Sequence, residues 1–216
     1  MWMNKIKIIE SIFELQYYED EMKAVIFDLD DVLYPLDAYV QSGFHQISRL
    51  FLGHSQEVYD ELWDTYGQQR AAEVNGTDDA VSGAIHAMLQ AQDMDSDEMA
   101  EKCLRIYEQH TPRIQPYDGI IELLEELREK GMRLGLLTDG SPEMQREKMR
   151  ALSLIPLFDE IIITDDIAGH GDVMKFRTPN QICFEIMRLR LDVPFEKMGY
   201  VGCQQSRHVK TRINRN

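Results

Sequence analysis

Residues 23–35 read KAVIFDLDDVLYP: an almost wholly apolar run, rich in β-branched and aromatic side chains, that stops abruptly in three carboxylates. A continuous apolar run of this length that ends in polar residues is the pattern of a strand buried on both faces, as in a parallel sheet. Asp28 and Asp30 stand two positions apart at its end, so both can face one pocket while Leu29 points away. Two strand-end carboxylates suit nucleophilic catalysis: one, ionised, attacks phosphorus, and the other protonates the leaving oxygen and later activates water. A Mg²⁺ ion would offset their repulsion, since it takes hard oxygen donors and commonly binds one or two carboxylates together with a substrate phosphate.

Outward from this stretch the chain alternates. Downstream, 37–110 reads as four helices with starts at Asp37, Ser55, Thr77 and Asp95, the last as an Asp-x-x-Glu capping box with Glu98. PRIQPYDG, 112–119, carries the proline and glycine of a return linker. Then come the helix GIIELLEELREKG, the strand RLGLLTD, a helix capped by Ser141 with Pro142 at its first position, a strand around EIIIT, a helix QICFEIMRLRL entered through Thr178 as its cap and Pro179, and the strand MGYVG at 198–202. Strands alternating with helices imply an α/β fold with a parallel, Rossmann-like sheet, whose ligands sit at the carboxyl ends of the strands. Upstream, Ile6, Ile9, Ile12, Phe13 and Tyr17 fall at helical spacing, which predicts a short amphipathic helix in an N-terminal extension, 1–21. The expected division is therefore 1–21, a core of 22–36 with 112–216, and a helical insertion over 37–111.

The apolar strand, its DxDxV ending completed by Val32, and the LYP continuation resemble the haloacid dehalogenase superfamily. LLTDGSPEMQREKMRAL, 136–152, resembles that family's second motif. The long helical interval between Asp28 and Thr138 is similar to the helical bundle cap of its first subfamily. The resemblance spans 23 to about 202. It implies an aspartyl nucleophile at Asp28, an acid/base at Asp30, Mg²⁺ on Asp28 and Asp30, and a phosphate donor at Thr138, with Asp139 and Lys175 as further phosphate-site residues. The implied activity is hydrolysis of a small phosphomonoester through an aspartyl phosphate. A dehalogenase is disfavoured, because a halide leaving group needs no acid at position 30. Closure of a cap would exclude water and select the leaving group. His45, His54 and His86 on the cap helices read as ordinary surface or packing residues.

Two motifs depart from the family. Where the third motif has a lysine before proline, KFRTPNQICF at 175–184 has Thr178; Lys175, three residues upstream, is the candidate replacement cation, with an ordinary solvent-exposed lysine as the favoured alternative. Where the fourth has Asp after Gly202, the chain has Cys203, with His208 near the second acid. Thiolate and imidazole suit zinc better than magnesium, and a pair is too few ligands for zinc. Asp165 or Asp166 is the substitute carboxylate to consider. The basic tail RHVKTRINRN offers no final strand, so the C-terminal part of the core is expected to be incomplete and the sheet to end on a bare edge. The alternative to the phosphatase is a catalytically impaired member that binds phosphate or a partner.

The formal charge of −15, from 38 acidic against 23 basic residues, argues against nucleic acid or an anionic membrane as a partner and leaves a small phosphorylated metabolite open. No run approaches the roughly 18 apolar residues of a membrane span. Three scattered cysteines make no disulfide framework, which fits a reducing, cytoplasmic setting.

Overall fold

The computed structural model describes residues 5–9, 12–17, 21–72, 76–169 and 171–202. The chain divides into two compact units, one comprising 1–35 and 115–216, the other Leu36–Ile114.

The first unit is a parallel sheet of five strands among the described residues: β1 (Lys7–Ile9), β2 (Ala24–Phe27), β3 (Arg133–Thr138), β4 (Glu160–Ile163) and β5 (Met198–Val201). Their order is β1-β5-β2-β3-β4. This is the expected Rossmann-like α/β arrangement. AVIF of β2 is buried throughout, because it lies between β5 and β3, with Phe27 opposite Val201 on one side and Leu136 on the other. A strand enclosed in this way has no use for alternating polarity. Helices α5 (Ile120–Glu129), α6 (Pro142–Ala151) and α8 (Gln181–Leu191) fall where the sequence pattern predicts them, and a short α7 (Thr164–Ala168), not expected from the sequence, follows β4. The core gathers Ala24, Ile26, Leu137, Ile162, Phe184, Met187 and Met198. Close packing of α8 on β3 needs Gly135, where an added Cβ would lie 2.7 Å from the Met187 sulfur.

The N-terminal segment differs from expectation. Residues 7–9 form β1, paired in parallel with β5 through Lys7–Gly199, Ile8–Tyr200 and Ile9–Val201, and 12–17 form a 3₁₀ turn in place of an amphipathic α-helix. Ile6, Ile8 and Ile9 are β-branched and favour extended backbone, and a short helical spacing of isoleucines does not by itself outweigh that. β5 is therefore not the bare edge expected of it, since β1 lies alongside. Residues 203–216, on which the incomplete-core expectation rests, lie outside the described residues.

The second unit consists of α1 (Leu36–Ser48), α2 (Ser55–Ala71), α3 (Gly76–Ala91) and α4 (Asp97–Gln109), in agreement with the four helices read from the sequence. Its interior is aromatic: Tyr39 meets Tyr107 edge-on at 5.5 Å and Phe44 meets Tyr66 at 5.9 Å, while the Tyr66 hydroxyl donates to Asp37 at 3.0 Å. The α4 cap is Ser96, which accepts from the Met99 amide at 3.2 Å, one residue after the expected Asp95. No helix among the described residues is long and apolar enough to cross a membrane.

Candidate active site

The parallel register brings several chain ends to one edge of the sheet. The Asp28 amide donates to the Val201 carbonyl at 2.9 Å, so Asp28 extends β2 at the carboxyl end of β5, and Thr138 closes β3 opposite Ile163 of β4. Asp28 is 5% exposed, and its Oδ1 accepts from the Leu29 amide at 2.8 Å. The chain then turns through Asp31, whose φ is +58°, the left-handed region that aspartate tolerates better than most residues. That turn returns Tyr34 to Asp30, whose Oδ1 accepts from the tyrosine hydroxyl at 2.5 Å.

Asp30 also meets α6. The Lys148 ammonium donates to both of its carboxylate oxygens, at 3.0 and 3.1 Å, and Gln145 Nε2 approaches Oδ2 at 3.4 Å. Gln145 Nε2 donates in addition to the Asp139 carbonyl at 2.6 Å, which ties the end of β3 to Asp30. The chain accommodates this at Gly140, φ +119°, where a Cβ would sit 3.0 Å from the same amide nitrogen.

Thr138 is 1% exposed, and its hydroxyl finds no hydrogen-bond partner among the described residues. A buried hydroxyl left in that state costs free energy unless something else satisfies it, and this one stands at the carboxyl end of β3. Asp139 faces another way. Its Oδ1 accepts from the Thr164 hydroxyl and the Thr178 amide, both at 3.0 Å, and its Oδ2 from the Thr178 hydroxyl at 2.6 Å. Asp139 thus fastens the loop before α8 to the end of β3. Thr178 is not the helix cap expected of it; Asn180 is, accepting from the Ile182 amide at 3.0 Å. Lys175 stands apart from the carboxylates, with its side chain 74% exposed and paired to Asp172 at 3.9 Å. Asp165 is held by the Arg177 guanidinium at 3.0 Å and Asp166 by Arg146.

The structure therefore brings Asp30, the Asp139 backbone, Gln145 and Lys148 together, sets Asp28 and Thr138 at the same edge of the sheet, and leaves Lys175 outside. Among the described residues no three His, Cys, Asp or Glu side chains gather as a metal cluster. Cys203 and His208 lie outside the described residues. Asp28 and Asp30 are hard oxygen donors of the kind Mg²⁺ accepts, and both oxygens of Asp30 also accept from the Lys148 ammonium.

A family model described as haloacid dehalogenase-like hydrolase matches residues 22–202. The chain belongs to that family. It is 26% identical over 199 residues to the glyceraldehyde 3-phosphate phosphatase of Methanopyrus kandleri, over 88% of this chain and 78% of that one. It is 23% identical over 190 residues to the protein of the same name from Methanocaldococcus jannaschii, over 88% and 79%. Among solved structures, the L-2-haloacid dehalogenase of Xanthobacter autotrophicus shares the fold with a TM-score of 0.50 at 17% identity, over 83% of this chain and 69% of that one.

Within this haloacid dehalogenase-like hydrolase, Gln145 and Lys148 are the site-edge residues that the sequence reading passed over. The available signal was their spacing: three apart on the helix after Thr138–Asp139, they share a face. PEMQREKMRA otherwise reads as a solvated helix.

The polar loop before α8 also encloses Cys183, whose Sγ donates to the Phe176 carbonyl at 2.8 Å. Burial, and then the nearby Asp139 carboxylate, raises its thiol from an ordinary 9.0 to about 11. A raised folded-state pKa gives stability that is fully present below the unfolded thiol's value and is lost as pH rises through the folded one, here between 9.0 and about 11. The folded protein at pH 8 should leave Cys183 almost unalkylated by iodoacetamide, with rapid labelling once urea unfolds it, as peptide mass mapping would read. Prompt labelling of the folded chain would contradict the burial.

Proposed function

We propose that this chain is a phosphohydrolase of a small phosphorylated metabolite, acting through Asp28. The observation that carries the reading is the buried Asp28 at the carboxyl end of the central strand, beside the unsatisfied Thr138 hydroxyl and a carboxylate, Asp30, held by three side chains. The names of the two archaeal phosphatases support phosphate as the group transferred.

In the reaction, an Asp28 oxygen attacks phosphorus as the bond from phosphorus to the leaving oxygen breaks, and Asp30 delivers a proton to that oxygen. Water then attacks the Asp28 phosphoryl group. Asp30 takes its proton, the bond between Asp28 and phosphorus breaks, and inorganic phosphate leaves. The Thr138 hydroxyl and the backbone amides that follow β2 and β3 donate to the equatorial oxygens as charge spreads onto them. Asp28 and Asp30 would hold Mg²⁺, which when bound would supply positive charge against the carboxylates and the phosphate.

The four-helix unit is read as the cap that selects the leaving group. A reducing, cytoplasmic setting is supported by the two described cysteines, both free and buried. The net charge of −15 supports a small anion over nucleic acid or an anionic membrane.

A generic aryl phosphate tests the reading. Hydrolysis with Mg²⁺ and its loss in EDTA are expected, with recovery on adding Mg²⁺ back. Hydrolysis indifferent to EDTA would overturn the metal assignment. Its complete absence would favour an impaired member that only binds phosphate, a reading supported by Thr178 and Cys203 in the sequence at the third- and fourth-motif positions.

A further inference from the structure

A protein cation beside the metal site stabilises the charge that develops in phosphoryl transfer, and the two positions at which the sequence suggests one do not provide it. Thr178 is uncharged and gives its hydroxyl to Asp139, and Lys175 is solvent-exposed and paired with Asp172. Among the described residues, the buried set contains one lysine and no arginine, and that lysine is Lys148. Its side chain is 4% exposed, and it reaches both oxygens of Asp30.

An ammonium is almost never buried unless paired, and taking both charges out of water costs several kcal/mol that an apolar residue in its place would not incur. α6 nevertheless buries Lys148 and, one turn earlier, Gln145, both turned toward Asp30. Two polar residues on the inner face of one helix, converging on one carboxylate at the carboxyl end of a parallel sheet, are explained more simply by the site than by packing.

We propose that Lys148 is the charge-bearing positioning residue of this site, delivered from α6 rather than from the loop before α8. It fixes Asp30 through both carboxylate oxygens, so that the carboxylate meets the attacking water in one orientation as the base that takes its proton, and it places a positive charge beside the incoming phosphate. Gln145 completes the hold by bridging Asp30 to the backbone of Asp139. The inference rests on the phosphatase reading.

The test is steady-state hydrolysis of an aryl phosphate with Mg²⁺ by the full chain and its variants, each checked for cooperative melting. Lys148→Met is expected to lower kcat by about 100-fold, the scale of losing one preorganised charge-stabilising donor, with KM changed far less. Lys148→Arg is expected to restore most of kcat, which a merely space-filling role would not require. Should Lys148→Met not fold, Lys148→Gln, uncharged but able to donate to Asp30, takes its place with the same expectation. A folded, uncharged variant with kcat equal to the unmodified chain overturns the inference, as does Lys148→Arg no better than Lys148→Met. Orthovanadate binding separates the two levels. A chain that neither turns over ester nor binds orthovanadate fails the phosphatase reading and the inference with it; one that does either, with Lys148→Met equal to it, fails the inference alone.

Discussion

Asp28→Asn should abolish turnover while leaving the fold intact. The substitution is nearly isosteric, and the amide oxygen of asparagine can still accept from the Leu29 amide, the bond that Asp28 Oδ1 now makes at 2.8 Å. The Asp28 amide bond to Val201 involves only backbone and is untouched. What disappears is a carboxylate able to attack phosphorus. The expected loss in kcat is about 10⁴-fold or more, the scale seen when a covalent nucleophile is removed, with urea midpoint and melting temperature close to those of the unmodified chain. An Asp28→Asn chain that hydrolyses ester at an appreciable fraction of the original rate would move the nucleophile elsewhere.

Asp30→Ala should be the more damaging change to stability. It removes a carboxylate that a buried ammonium holds, because Lys148 Nζ would lose its contacts to Asp30 at 3.0 and 3.1 Å while its side chain is 4% exposed. Breaking such a pair costs about 3–5 kcal/mol, and the lower end is expected because the Asp30 side chain is itself 23% exposed. The Tyr34 hydroxyl and Gln145 amide lose an acceptor at the same time. A urea unfolding series would read this as a lower midpoint with an unchanged slope. The double change Asp30→Leu with Lys148→Met should recover much of the stability, since replacing both charges by apolar groups removes the desolvation cost along with the pair, and it should remain inactive. An Asp30→Ala chain as stable as the original would mean that Lys148 is solvated more freely than its burial implies.

These two residues were the most legible part of the sequence. VIFDLD announces a buried strand and its carboxyl end in a single stretch, because burial on both faces removes polar residues from the strand and returns them where it stops. The alternation of later strands with helices follows the same logic, and QICFEIMRLRL forms α8 over the span expected. Less legible was whatever depends on a choice between two local structures or on distant partners. Isoleucines at 6 and 9 satisfy both a helical spacing and a β propensity, and pairing with β5 decides between them. Asp139 reads as a phosphate-site residue beside Thr138, yet its carboxylate is taken up by Thr164 and Thr178, 25 and 39 positions away. Lys175 and Lys148 are equally charged on paper. One lies on a short exposed turn, and the other is carried inward by a helix whose remaining residues look solvated. Local pattern does not report such long-range pairing.

The most direct measurement is acid quenching during turnover of a labelled phosphomonoester with Mg²⁺, followed by peptide mapping. The account predicts phosphate on the peptide containing Asp28, chased by unlabelled substrate and absent from Asp28→Asn. Label on a different residue, or steady turnover without phosphate ever appearing on Asp28, would contradict it.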